Sequence, residues 1–358
     1  MADEAKPEKS SVWKVILAWV GGASAVIGLF AAISGQLHLF EGGRAHKAEL
    51  EAKMAVAQTQ VKQGEYEAAV GSYGDVLKSD PLYAAAQEGQ LDAAMQWVEN
   101  FQVLGGDGTD AAKIAAAKVD EIMPVLDAGL ARSKGTREAD VQAHLGWAHW
   151  LNWHIAEREY GPAAENNLRA AVALDGSNVY ANAMLGNWML QNHGSFAEAV
   201  GHLNTAVGTG KARPLVRAMQ VGGLLHDRDA GARAELIKAV NDMRKNNEPL
   251  DEDRKERVVG FCFSPYGTSV AELKEALGAV PEDEAWKTYQ WLDGSLDHGV
   301  TNDSQNEAHA YIHASLLEAV GKRVDALGEF RALQKRLEKE PGTMQDRVDD
   351  AVKRLSAG

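Results

Sequence analysis

Residues 64 to 81 read Gly64-Glu-Tyr-Glu-Ala-Ala-Val-Gly-Ser-Tyr-Gly-Asp-Val-Leu-Lys-Ser-Asp-Pro81, and this stretch decides the fold. A glycine ends one helix without a steric penalty from a β-carbon, and a proline stops the next helix. Between them, Ala69 is small enough for two helix backbones to touch, and Tyr73 fills the space behind it. The stretch therefore predicts a turn followed by a short helix that packs against the helix before it.

The same spacing of glycine, alanine and a large apolar residue recurs twice further along the chain. In each set the alanine follows the glycine by five residues, and the large residue follows by four more. The two later sets are Gly194, Ala199 and Leu203, then Gly321, Ala326 and Phe330. A spacing that returns in this way is typical of proteins built from stacked helix pairs.

A fourth unit is a distorted version of the second. Gly146 corresponds to Gly186, and Ala164 corresponds to Ala199. Ala164 follows Gly146 by 18 residues, whereas Ala199 follows Gly186 by only 13. The first helix of the distorted unit, or the turn after it, must therefore be longer.

Other stretches predict helices without the full spacing. They are residues 82–101 with 111–131, 214–225 with 231–245, 252–260 with 270–277, and an amphipathic tail at 344–355. Apolar and aromatic residues fall at intervals of three and four, and no stretch shows the sustained alternation of a strand. The predicted fold class is therefore all-α.

The spaced sets resemble the tetratricopeptide repeat (TPR) family, and the resemblance covers most of residues 46–340. It implies a right-handed α-solenoid of helical hairpins, closed by a capping helix at 341–358. It also implies that the function is to bind proteins or peptides. The resemblance is specific for architecture and does not identify a partner.

Residues 15–35 predict a transmembrane helix, between a short tail at 1–14 and a juxtamembrane linker at 36–45. From Val15 to Phe40 the only ionisable side chain is His38. The apolar core of this span would be roughly 28 Å long as a helix, close to the ~30 Å hydrocarbon thickness of a bilayer. A cleaved signal peptide and a buried soluble helix are the alternatives.

The flanking basic residues leave the orientation of this helix open. Three lysines precede the span, and three basic residues, Arg44, Lys47 and Lys53, follow it. A short basic tail usually stays in the cytoplasm, which favours a periplasmic or other extracytoplasmic location for the repeats. A cytoplasmic location is the alternative.

The charge of the chain argues against nucleic acid as a partner. The formal net charge is −14, and the acidic excess lies entirely beyond residue 40. A folded region this acidic repels phosphate backbones. Cys262 is the only cysteine, so no disulfide within the chain and no thiolate metal cluster can form.

Few residue patterns point to chemistry. His309 and His313 are four residues apart on a predicted helix, which is a metal-ligand spacing, but no third ligand shares their face. A pairing of Cys262 with a histidine has no supporting motif, and a buried structural thiol is the simpler interpretation. We therefore expect no catalytic residue, no metal and no cofactor.

Tryptophans mark the candidate binding surface. Trp147, Trp150 and Trp153 recur every third residue, and Trp188 lies on the corresponding helix of the next unit. The family resemblance places a set of side chains along a concave groove: Asp140, Trp147, Trp150, Tyr180, Asn187 and Gln191. An aromatic groove with amides suits a peptide. The alternative is that Trp147 and Trp150 belong to the core, as we expect of Trp153 and Trp188.

The leading functional prediction is a membrane-anchored scaffold that binds partner proteins through this groove. An accessory subunit of a protein translocation or envelope-assembly complex is the alternative. A hydrolase that uses Cys262 or a metal at His309 and His313 is a third hypothesis.

Overall fold

The computed structural model describes residues 42–101, 110–156, 161–209, 214–227, 229, 231–263, 269–294, 303–338 and 344–357. All regular secondary structure in these ranges is helical, as predicted. The predicted tail, transmembrane helix and first part of the linker, residues 1–41, lie outside them. Among the helices in these ranges, none combines the length and apolar character needed to cross a bilayer.

Sixteen helices occupy the described ranges. They are α1 Gly42–Lys62, α2 Tyr66–Ser79, α3 Ala84–Asn100, α4 Asp110–Arg132, α5 Thr136–Ala156, α6 Gly161–Leu174, α7 Val179–Gln191, α8 Phe196–Gly208, α9 Pro214–His226, α10 Ala232–Lys245, α11 Glu252–Phe263, α12 Val270–Leu277, α13 Glu282–Asp293, α14 Asp303–Ala319, α15 Arg323–Leu337 and α16 Gln345–Ser356. The described residues form two compact units, which divide between residues 97 and 98.

In the first unit, α1 and α2 form the pair predicted from the opening stretch. Gly64 ends α1 with φ of 76°, and the amide of Glu65 donates to the carbonyl of Gln60 over 2.8 Å. Ala69 and Tyr73 are both buried. A β-carbon at Gly89 of α3 would lie 2.5 Å from the Tyr73 ring, so a larger residue at this position would force the ring to shift.

In the second unit, consecutive helices pack as pairs. The pairs are α5 with α6, α7 with α8, and α14 with α15. The first helices also contact one another, because α5 packs on α7 and α7 packs on α9. We call α5, α7 and α9 the first-helix row.

Two of the pairs are built on the same close contact. A β-carbon at Gly186 would lie 2.8 Å from the carbonyl oxygen of Ala199 and 2.8 Å from Cγ of Leu203. A β-carbon at Gly146 would lie 3.1 Å from the carbonyl oxygen of Ala164. The longer separation in the α5 pair arises in its first helix, since α5 continues ten residues past Gly146 and α7 only five past Gly186.

The three spaced sets differ in which turn residue has a positive φ. In the second set this residue comes one position before the glycine. Gly321 has φ of 80°, as the pattern predicts, but in the second set His193 takes the left-handed conformation, with φ of 55°. Gly194 comes one residue later, and its amide donates to the carbonyl of Met189 over 2.8 Å. A β-carbon at Gly194 would lie 3.0 Å from Cβ of Met189, so glycine serves close approach here.

The predicted C-terminal helix is present as α16, and it packs on α15. Its buried Val348, Ala351 and Leu355 join a cluster with Phe330 and Leu333. The opposite face of α16 is charged, which suits a helix at the exposed end of a stack.

Candidate partner-binding surface

The six predicted binding residues lie on two neighbouring helices of the first-helix row. Asp140, Trp147 and Trp150 are on α5, and Tyr180, Asn187 and Gln191 are on α7. The six residues therefore lie on two helices that pack on each other, and each residue has its own contacts.

Trp147 and Trp150 form a stacked column on α5. Their ring centroids are 4.2 Å apart with an interplanar angle of 18°, and Trp150 stacks in turn on His154 at 4.9 Å. Only 7% of Trp147 and 6% of Trp150 is exposed. Most of both rings is therefore in contact with protein, and His154 forms the exposed end of the column.

Asp140 fastens the start of α7 to α5. Its carboxylate accepts a hydrogen bond from the side-chain amide of Asn178 over 2.7 Å. The side-chain oxygen of Asn178 in turn accepts from the backbone amide of Ala181, which caps α7. Asp140 therefore positions the residue that begins the next first helix.

His144 is a fully buried residue of α5, and it is not among the six predicted residues. Its Nδ1 donates to the backbone carbonyl of Asp140 over 2.6 Å, and its Nε2 lies 3.0 Å from Oε1 of Glu99. Because a backbone carbonyl can only accept, Nδ1 carries a proton. The Tyr180 ring lies 4.8 Å from this imidazole.

Asn187 connects α7 to α9, and Gln191 bonds to Asn187 within α7. The side-chain amide of Asn187 donates to the backbone carbonyl of Met219 over 2.7 Å. Its oxygen accepts from Gln191 over 2.7 Å. A β-carbon at Gly223 would lie 3.3 Å from the Asn187 amide nitrogen, so a glycine on α9 permits this approach.

The predicted set therefore divides by accessibility. Trp147, Trp150 and Asn187 are buried, whereas Asp140, Tyr180 and Gln191 are partly exposed. Trp153 and Trp188, which we expected in the core, are also partly exposed. Partner binding by the six residues remains a prediction. The side chains that a partner could reach are those of Asp140, Tyr180 and Gln191.

Two further histidines near this surface are partly buried. Burial lowers the pKa of His149, against the opposing effect of the Asp127 carboxylate. Burial also lowers the pKa of His202, against Glu198, and its Nδ1 donates to the side-chain oxygen of Asn182 over 2.8 Å.

Arg217 is a buried arginine with several hydrogen-bond partners, and none of the sequence patterns above pointed to it. Its guanidinium donates to both carboxylate oxygens of Glu248 over 2.7 and 2.9 Å, to Gln220 over 2.8 Å, and to Asp242. Burial alone would lower its pKa, but Glu248 and Asp242 raise it. An arginine inside an otherwise apolar helical stretch, Pro214-Leu-Val-Arg-Ala-Met219, was the available signal.

The residues considered for catalysis have structural surroundings. Cys262 is fully buried, and burial raises the pKa of its thiol to about 12, so the reactive thiolate is scarce at neutral pH. His313 Nδ1 lies 2.5 Å from Oε2 of Glu329, while the side chain of His309 is outside the described part. Among the described side chains, no group of three or more His, Cys, Asp or Glu has the arrangement of a metal site.

Comparisons with known proteins add little. No protein-family model matches this sequence, and no curated protein does. One similar solved structure is the crystal structure of a tetratricopeptide repeat protein from Parabacteroides merdae, which is 11% identical, with 86% of this chain and 99% of that chain covered and a TM-score of 0.39. That similarity is too low to argue from. Helix packing alone defines the class: an all-α protein of stacked antiparallel helix pairs.

Proposed function

We propose that this protein is a membrane-anchored scaffold that binds partner proteins or peptides along the first-helix row. The observation that carries the proposal is the repeated close contact at Gly146 and Gly186, which joins the two helices of each pair in the same way, while the first helices of the two pairs pack on each other. Repeated pairs present neighbouring helices as one extended surface, and such surfaces are suited to binding other proteins.

The polar contacts between first helices support this use of the surface. Asp140 with Asn178 joins α5 to α7, and Asn187 with the carbonyl of Met219 joins α7 to α9. A surface whose helices are fixed before binding loses less conformational entropy when a partner docks. Tyr180 and Gln191 are partly exposed on this braced framework, so they are the proposed contact residues.

The proposed anchor is the apolar segment at 15–35. Tethering at a bilayer would raise the local concentration of partners that are also bound there. We place the helix pairs on the extracytoplasmic side, because the short basic tail before the span favours a cytoplasmic N-terminus.

Site-specific photo-crosslinking tests the binding surface. The full-length chain would carry p-benzoylphenylalanine in place of Tyr180 or Gln191, with Asn166 on the exposed face of α6 as the matched control position. We expect the same discrete partner adducts at the two first-helix positions and none at position 166. Equal adducts at all three positions, or adducts only at 166, would contradict the proposal.

Alkaline carbonate extraction tests the anchor. The full-length chain should stay with the membrane pellet, and the double variant Val26→Lys with Ile27→Lys should move to the supernatant, because charges at the centre of a span oppose insertion. Release of the unaltered chain would remove the anchor from the proposal and leave the binding surface to be judged separately.

A further inference from the structure

A groove in the second unit lies apart from the first-helix row. One wall is a face of α13 formed by Asp283, Trp286, Lys287 and Gln290. The other wall is the turn between α14 and α15, which contributes Val320 and Lys322. The α13 residues follow the spacing of a single helix face, and the groove measures about 510 Å³.

Trp286 is the apolar centre of this groove. Its ring packs against the buried cluster of α14, α15 and α16, and the His313 ring lies 5.4 Å away. The ring is therefore held in place while part of it remains exposed. A fixed tryptophan with a polar rim is the arrangement found at the energetic centres of protein interfaces.

The charges around Trp286 are unequally compensated. Lys287 pairs with Asp283 and with Glu284, each at 3.2 Å. The Lys322 ammonium lies over the Trp286 ring, 4.2 Å from its centroid, and no carboxylate of the described residues pairs with it. Among the described residues, the groove thus presents one positive charge without a carboxylate partner, next to an aromatic surface.

We propose that this groove docks a partner peptide segment in which an acidic side chain is adjacent to an aromatic residue. The carboxylate pairs with Lys322, and the aromatic side chain packs against the exposed part of Trp286. The net charge of −14 repels acidic segments in general, so the preference for an acidic segment comes from the local ammonium, and the apolar contact adds affinity for either charge state. This inference does not depend on the first-helix row.

Nuclear magnetic resonance of the full-length chain in detergent micelles, with ¹⁵N-labelled tryptophan, tests this docking site. Nine indole signals are expected, and the variant Trp286→Phe identifies the relevant one. The probes are N-acetyl-Asp-Phe-amide and its neutral counterpart N-acetyl-Asn-Phe-amide. We expect both to shift the Trp286 signal, with about fivefold weaker binding for the neutral probe, since a partly exposed ion pair is worth about 1 kcal/mol.

Variants separate the ion pair from non-specific binding. Lys322→Gln should make the two probes equivalent, whereas Lys322→Arg should preserve the preference for the acidic probe. The matched control is Lys238→Gln, which alters a similarly exposed lysine on α10 and should preserve it as well. Equal binding of the two probes to the unaltered chain, no shift of the Trp286 signal, or an unchanged preference in Lys322→Gln would overturn the proposal.

Discussion

The side-chain amide of Asn187 on α7 donates a 2.7 Å hydrogen bond to the backbone carbonyl of Met219 on α9. Asn187 was predicted to bind a partner peptide, but its side chain instead links two helices of the first-helix row. Its oxygen is also occupied, by Gln191, so both functional atoms of the amide are engaged.

Asn187→Ala should lower the free energy of unfolding by about 1 to 3 kcal/mol, because the buried partners of the amide lose their hydrogen bonds. Urea denaturation followed by circular dichroism measures the change. Asn192→Ala is the control, since the Asn192 side chain bonds only within its own helix end, to the carbonyl of Trp188. Unchanged stability in Asn187→Ala would show that this amide does not hold the two helices together, and Asn187 would again be a candidate for partner binding.

Gly186→Ala should be destabilising by about 1 to 3 kcal/mol through overpacking. The added β-carbon would lie 2.8 Å from the carbonyl oxygen of Ala199, which is backbone and cannot move aside easily. Gly201→Ala on α8 is the matched control, because its β-carbon would meet nothing within 4 Å. That variant should be neutral or stabilise by about 0.5 to 1 kcal/mol. Thermal unfolding of the two variants measures this difference in stability, and equal unfolding temperatures would contradict the prediction.

Trp147→Ala should lower the free energy of unfolding by about 3 to 5 kcal/mol, as expected for a buried aromatic residue. Tyr180→Ala should cost less stability, because Tyr180 is partly exposed, and should reduce the photo-crosslinks formed at position 191. Chemical denaturation and crosslinking yield are measured for both variants. Normal stability in Trp147→Ala together with lost crosslinking would show that this ring acts in binding after all.

Stability should decrease as the pH falls below about 6.5, the ordinary histidine pKa. Burial lowers the pKa of both His149 and His202 in the folded chain. Between the lowered pKa and the ordinary one, the unfolded chain binds more protons, so the free energy of unfolding falls as the pH falls. His149→Gln should flatten this dependence, and His46→Gln, at an exposed position on α1, should not. Urea midpoints from pH 5 to 8 measure the slopes, and equal slopes for all three proteins would refute the assignment.

Cys262 should resist alkylation in the folded chain. Burial raises the pKa of its thiol to about 12, and the sulfur is shielded from solvent. Iodoacetamide at pH 8 followed by mass spectrometry should detect no adduct until urea is added. Because Cys262 is the only cysteine, one adduct accounts for all thiol reactivity. Rapid labelling of the native chain would reopen the question of a nucleophilic role.

Local residue patterns were sufficient to predict much of the architecture. The pair α1 and α2, the buried Ala69 and Tyr73, and the packed tail helix α16 all agree with the sequence analysis. In the second spaced set the pattern located the turn but not its left-handed residue, which is His193. Glycine spacing marks where a chain reverses, and the hydrogen bond that closes each turn selects the residue with positive φ.

Taken alone, the sequence determined that the described part is helical, where several helices begin and end, and which small residues lie between paired helices. These properties depend on neighbours within a few turns of the chain, so periodicity and glycine or proline positions reveal them. Only the tertiary structure decided that Trp147 is buried while Trp188 is partly exposed, and that Asp140 bonds to Asn178. Those outcomes depend on helices that meet across dozens of residues, as Asn187 meets Met219 from 32 positions away. Spacing along one helix carries no information about such a meeting, because the distance between helices is set by how all their side chains pack together.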